Sequence, residues 1–303
     1  MLTEMRAAHA SFTLNLISLL LKTVSMLNAA STAVNAEFLH ALGDTIGSGL
    51  LVLGLLMSRR RPSTRYPFGL GRAVYVFGLI VSALIGGFLF AVTSFSGVQQ
   101  LVAGGEVIST TTSIASLATA LTLDLAILLW SLIELRRNPA DPSAKGTLVE
   151  NLADSVGGSA ALTSLLLGSP FVDGLGTLVV SVILLSSSAL LSYRYFEVLV
   201  GRAAPKNIVG RVVKIALSDP RIVDVNDVKS LVVGPGEFLV MLQVEVPEGT
   251  SVDEIENVRN ELSKRMQESV NGVKYVVIEF QKPSSPPMSF KRVLKEILTL
   301  GEV

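Results

Sequence analysis

The sequence predicts an α-helical membrane protein with six transmembrane helices, followed by a cytoplasmic α+β domain of ferredoxin-like arrangement. Three observations predict this. Half of the side chains are hydrophobic and only 17% are charged, with a mean hydropathy of +0.56, which is too apolar for an ordinary soluble chain of 303 residues. Six apolar segments each approach the roughly 20 residues needed to cross about 30 Å of hydrocarbon. Beyond "YRYFEVLVGRAAP" hydropathy falls, and short helical and strand patterns replace the long apolar runs.

The expected spans are roughly 11–31, 35–57, 73–101, 110–134, 147–168 and 173–194. The N-terminal "MLTEMRAAHASFTLNLISLLL" lacks a small-residue cleavage site and reads as the start of the first span. Alternate loops then differ in charge. The loop after span two, "SRRRPSTRYPFGLGR", carries Arg59, Arg60, Arg61, Arg65 and Arg72, and the loop after span four carries Arg136, Arg137 and Lys145. The intervening loops carry no Lys or Arg, so the positive-inside rule places both termini in the cytoplasm, in agreement with an even number of spans. The arginine-rich loop is also a candidate contact for anionic lipid heads. These signals divide the chain into a transmembrane domain at 1–201, a cytoplasmic domain at 202–283 and a C-terminal amphipathic tail at 284–303.

In the cytoplasmic segment the pattern predicts a helix at about 205–219, strands at 222–234 and 237–247, a helix at 252–270 and a strand at 273–281. Gly234, Pro235 and Gly236 mark the turn between the first two strands, and Ser251 with Glu254 resembles a capping box. The order α-β-β-α-β is expected to lay helices on one face of a small antiparallel sheet. The strand "EFLVMLQVEV" is apolar on both faces, so its second face is a candidate contact for a partner subunit. The tail "SFKRVLKEILTL" suits either the protein or the membrane surface.

Ionisable side chains inside the spans carry the functional reading, because burying a charge in a bilayer costs several kcal/mol and such groups usually face inward. In span two His40 and Asp44 stand at i, i+4, on one helix face. Span five repeats the device with Glu150 and Asp154. Two such faces can close a four-ligand cage of one imidazole and three carboxylates, which suits a divalent cation such as Zn²⁺. The plainer reading is hydrogen bonding between helices by protonated acids. If the cage holds metal, three neighbouring carboxylates cannot all stay ionised when it departs, so protons should enter as the metal leaves, with His40 taking part.

Asp124 reads as the one other carboxylate at that depth, either a proton relay or auxiliary site member, or a hydrogen-bond partner of Asn15 or Asn151. Asn151, turned about 100° from Glu150 on a helix, is a secondary candidate behind the ligands. Asp173, at the start of span six, reads as a helix cap and His9 as an interfacial histidine. Gly43, Gly47, Gly49, Gly157 and Gly158 would let helices approach closely. With no cysteine anywhere and no histidine in the cytoplasmic segment, a thiolate site is excluded and a zinc-sensing site there is not expected. No phosphate-binding loop, cofactor motif or nucleophile–base pair supports an enzyme.

The six spans, the paired motifs of spans two and five, "YPFGLGR" opening span three, "LVGRAAP" leaving span six and the C-terminal α+β pattern together resemble the cation diffusion facilitator family over about residues 8–282. "HALGDTIGSGLLVLGL" and Glu in place of the more usual His in span five look most like its zinc-transporter-9-like branch. The resemblance implies a homodimer that exports divalent cations in exchange for protons by alternating access. Its subunits would join through the cytoplasmic domain, with the membrane domain as a second candidate contact, in a lipid bilayer and without nucleic acid. By position it assigns His40, Asp44, Glu150 and Asp154 as transport-site ligands. Tyr66 and Leu70 stand where many members place His and Asp, so the second zinc site of those members is expected to be missing. Arg72 remains from a family charge pairing whose acid, expected near Gly201, is absent. The oxygen-rich ligand set admits Mn²⁺, Fe²⁺ or Co²⁺ besides the favoured Zn²⁺. The short N-terminus suggests a prokaryotic plasma membrane.

Overall fold

The structure is a computed structural model. It describes residues 2–58, 62–137 and 142–283, apart from the side chains of 2–11, 84–85, 137 and 142–147. The tail at 284–303, Arg59, Arg60 and Arg61, and the side chains of His9, Arg137 and Lys145 lie outside the described residues.

Seven helical elements come first: α1 (Leu2–Leu27), α2 (Thr32–Ser58), α3 (Ala73–Ile80), α4 (Gly87–Ala103), α5 (Thr111–Arg137), α6 (Pro142–Leu167) and α7 (Pro170–Val200). A π-helical turn, Val81–Gly86, joins α3 to α4 into one 31-residue stretch. Among the described residues, four helices are long and apolar enough to cross a membrane: Thr32–Ser58, Ala73–Ala103, Thr111–Arg136 and Pro170–Val200. Among the described residues the apolar stretch of α1 is Phe12–Leu27, and the described part of α6 is diluted by Glu150, Asp154, serines and glycines.

Two compact units are distinguished among the described residues: Leu2–Gly54 with Tyr75–Tyr195, and Leu55–Val74 with those from 196 to 283. In the helical unit α2 is central. Ala33 and Val34 pack with Leu117 of α5 and with Ala161 and Leu165 of α6, while Ala36 packs with Leu89 of α4 and with Val180 and Leu184 of α7. Small residues permit this closeness. A Cβ on Gly174 of α7 would meet Leu101 and the carbonyl of Gly97, both on α4. At the π-helical turn the hydroxyl of Ser188 on α7 donates to the carbonyl of Ser82. Large apolar side chains such as Phe88, Phe95, Trp130 and Leu166 point outward, as a helical surface immersed in lipid requires.

The N-terminus of α2 is capped from another helix. Asp173 of α7 accepts hydrogen bonds from the Thr32 and Ala33 backbone N–H groups at 2.8 and 3.2 Å and from the hydroxyls of Ser31, Thr32 and Ser164. Asp173, expected as a cap at the start of span six, here caps the start of α2. The carboxylate answers the orphan N–H groups and the positive end of the helix dipole.

In the second unit, α8 (Lys206–Leu217), β1 (Asp224–Gly234), β2 (Glu237–Glu245), α9 (Val252–Ser269) and β3 (Val273–Gln281) follow the predicted order. The sheet order is β1-β2-β3, but the sheet is mixed rather than antiparallel: β1 runs antiparallel to β2, and β3 parallel to it. This corrects the sequence expectation. A tight turn at Pro235–Gly236 forces reversal, whereas the α9 crossover returns the chain to the starting end of the sheet. Val240, Leu242 and Val244 of β2 pack with Val212, Ala216, Val258, Leu262 and Met266, while Met241 and Val277 are exposed on the other side. Ser251 and Glu254 form the capping box of α9. The segment before α3 lies against the sheet. Arg72 Nε donates to the Val232 carbonyl at 2.9 Å, the rings of Phe68 and Tyr275 meet edge to face at 5.3 Å, and a Cβ on Gly71 would collide with Gly234 Cα.

Candidate metal centre

The site starts from helix geometry. At i, i+4 on α2, His40 and Asp44 project from one face, with His40 Nε2 3.4 Å from Asp44 Oδ2. Asp154 on α6 closes on them, its Oδ1 lying 3.8 Å from His40 Nδ1. One donor atom from each of the three lies within 4.8 Å of the other two. Such spacing lets one cation touch all three, since Zn–N and Zn–O bonds of about 2.0–2.2 Å separate adjacent tetrahedral ligands by roughly 3.4 Å. His40 and Asp154 are buried, and Asp44 is partly open.

Glu150, the fourth expected ligand, is not drawn into this group. It sits one turn before Asp154 on α6, exposed, with the Asn15 amide beside it and Asp44 and Asp154 as neighbouring charges. Asn151 is buried on the same helix. Asn15 also reaches across from α1, its amide 3.4 Å from Ser48 Oγ and 3.5 Å from the Asp44 carbonyl.

Two buried charged residues beside this cluster escaped the sequence reading. Lys22 of α1 is 1% exposed, and Glu37 of α2 is wholly buried 2.9 Å from its Nζ. Asp124 of α5 is therefore not the one other deep carboxylate, and its close neighbour is Lys22 at 3.6 Å. Asp154 Oδ1 also lies 3.6 Å from Lys22 Nζ. The signal was present: Lys22 interrupts the apolar run "NLISLLLKTVSML", and Glu37 precedes His40 by three residues on the same helix face. Gly157 of α6 makes the room, since a Cβ there would run into Glu37 Oε1. Gly43 and Gly49 take close contacts from Leu89 and Phe12 in the same way.

Comparison with known proteins gives this arrangement its context. A family model described as the cation efflux transmembrane domain matches residues 8–200. Among curated relatives, the chain is 28% identical over 250 residues to the human "Proton-coupled zinc antiporter SLC30A9, mitochondrial", a match covering 77% of this chain and 44% of the relative. It is 25% identical over 258 residues to "Metal tolerance protein C4" of Arabidopsis thaliana, covering 79% and 56%. A match at 27% over 179 residues to "Magnetosome protein MamB" of Magnetospirillum gryphiswaldense covers 56% and 58%. The chain spans about half the length of these relatives. A mitochondrial relative stands against the expectation of a prokaryotic plasma membrane, and the supported statement is a membrane-embedded protein. A match over most of the chain, on helices long and apolar enough to span a bilayer, leads to one conclusion: the chain belongs to the cation efflux, or cation diffusion facilitator, family, whose members are transporters and not enzymes.

Proposed function

We propose that the chain carries a divalent metal cation, zinc first, across a membrane in exchange for protons by alternating access. The observation that carries this reading is the convergence of His40, Asp44 and Asp154 on one small volume inside a helical bundle. The cation is held by these three side chains, and Glu150 supplies the fourth donor from the open side. Three clustered donors with a fourth, Glu150, on the open side suit an ion that must enter and leave. When the ion departs, the clustered carboxylates repel one another in a low dielectric, and protons take its place. The names of the antiporter relatives agree with this.

The same proposal extends to architecture. Residues 1–201 form a six-span membrane domain with α1 and α6 among the spans, and both termini face the cytoplasm. Residues 202–283 form a ferredoxin-like domain that joins two copies through the sheet face bearing Met241 and Val277. The oxygen-rich donor set supports Mn²⁺, Fe²⁺ or Co²⁺ as alternative cargo.

The test is reconstitution in liposomes loaded with a metal-sensitive and a pH-sensitive dye. Zinc uptake accompanied by opposite proton movement is expected. Zinc flux without proton flux removes the antiport reading, and absence of flux for all four metals removes the transport reading.

A further inference from the structure

Lys22 stands where a transported cation would feel it. Its ammonium is held by carboxylates from three helices: Glu37 of α2 at 2.9 Å, Asp124 of α5 at 3.6 Å and Asp154 of α6 at 3.6 Å. A knot of this kind could serve packing alone. One atom says more. Asp154 Oδ1, which faces Lys22 Nζ, is the same oxygen that faces His40 Nδ1 at 3.8 Å, so the ion-pair network and the metal-ligand cluster share a donor. A divalent ion bound through that oxygen lies within a few ångströms of a buried positive charge that cannot retreat to solvent, Lys22 being 1% exposed.

We propose that Lys22 is a tethered resident cation that competes with the transported metal for Asp154 and thereby weakens the hold on the cargo. This rests on the reading of His40, Asp44 and Asp154 as the transport site. When metal binds, Asp154 turns toward it, and Lys22 is retained by Glu37 and Asp124, whose negative charges keep it from being expelled. When metal leaves, Lys22 is again the partner of Asp154, so this carboxylate is never left alone in a low dielectric. Repulsion between the ammonium and the bound ion is strong in that dielectric, and it prevents a buried site from becoming a trap. Lys22 is in these terms a positioning residue and does not itself ligate the metal.

The experiment uses the full chain in lipid nanodiscs at one fixed pH, with Zn²⁺ binding followed by calorimetry and Co²⁺ binding by absorbance. Removing Lys22 alone would strand buried carboxylates, so it is removed together with a partner. Lys22→Met/Glu37→Gln is compared with Glu37→Gln, and Lys22→Gln/Asp124→Asn with Asp124→Asn. Each double variant is expected to bind both metals at least about tenfold more tightly than its single-variant parent. In liposomes its maximal transport rate should fall while its apparent KM also falls, a split that simple misfolding does not produce. Lys22→Arg, which retains the charge, should stay close to the unsubstituted protein. Affinities within about twofold of the parents, or weaker, overturn the competition. If the unsubstituted protein binds neither metal, or Asp154→Ala binds as well as it does, the transport-site reading has failed. If that control behaves as expected and the double variants are unchanged, only the role of Lys22 has failed.

Discussion

Asp173 and Thr32 are joined twice: Oδ2 of the carboxylate accepts both the Thr32 backbone N–H, at 2.8 Å, and its hydroxyl, at 2.9 Å. The other oxygen accepts from Ala33 N–H and from the hydroxyls of Ser31 and Ser164, so one buried side chain of α7 serves the start of α2 and the end of α6. Asp173→Ala leaves several buried donors without an acceptor. It should lower stability by about 2–4 kcal/mol, with Asp173→Asn intermediate, as read from the thermal midpoint in detergent. A midpoint unchanged in Asp173→Ala would show that the cap is not stabilising.

Gly157 and Gly210 make opposite predictions for the same change. Gly157→Ala drives a methyl group into the carboxylate of Glu37 and disturbs its pairing with Lys22. It should cost about 1–3 kcal/mol of stability and weaken metal binding. At Gly210, in the exposed part of α8, an added Cβ meets nothing within 4 Å. Gly210→Ala should raise stability by about 0.5–1 kcal/mol through helix propensity. Thermal melts of both variants check the pair.

The proposed ligands should not be equal. Asp154 lies in the cluster and is buried, whereas Glu150 is exposed and outside it. Asp154→Ala and His40→Ala should abolish zinc binding and flux, while Glu150→Ala should weaken binding and leave measurable flux. Calorimetry and the liposome assay give the ranking. Loss in Glu150→Ala equal to that in Asp154→Ala would move Glu150 into the obligatory set.

In the second unit Asp219 is held below the usual carboxylate range, chiefly by hydrogen bonds from the Arg221 side chain, with the Arg221 N–H and charge adding to them against the opposing effect of burial. A depressed folded value means that its stabilising contribution is whole above the unfolded value of about 3.9 and declines as pH falls through the lower folded one. Acid-induced loss of stability below about pH 4 should therefore be smaller in Asp219→Asn than in the unsubstituted chain. Denaturation midpoints of the full chain across that range supply the comparison.

Local pattern was enough to read much of this molecule. The starts of β2 and α9 follow from the Gly234–Gly236 turn and from the Ser251–Glu254 box, because each depends on residues near one another in sequence. The His40–Asp44 pair was legible for the same reason, since four residues bring a helix round to the same face. The direction of β3 was not, because strand pairing is decided by what the crossover packs against.

By itself the sequence determined an apolar, multi-helix chain with an α+β tail, and ionisable groups too costly to bury without a purpose. Tertiary structure alone decided which of those groups meet. Lys22, Glu37, Asp124 and Asp154 come from four helices, and no spacing within one helix can foretell a contact set by the packing of others around α2. The same packing buried Asp154 and left Glu150, one turn away, exposed. A carboxylate's partners depend on which face its helix turns inward and on how closely glycines such as Gly157 let the next helix approach.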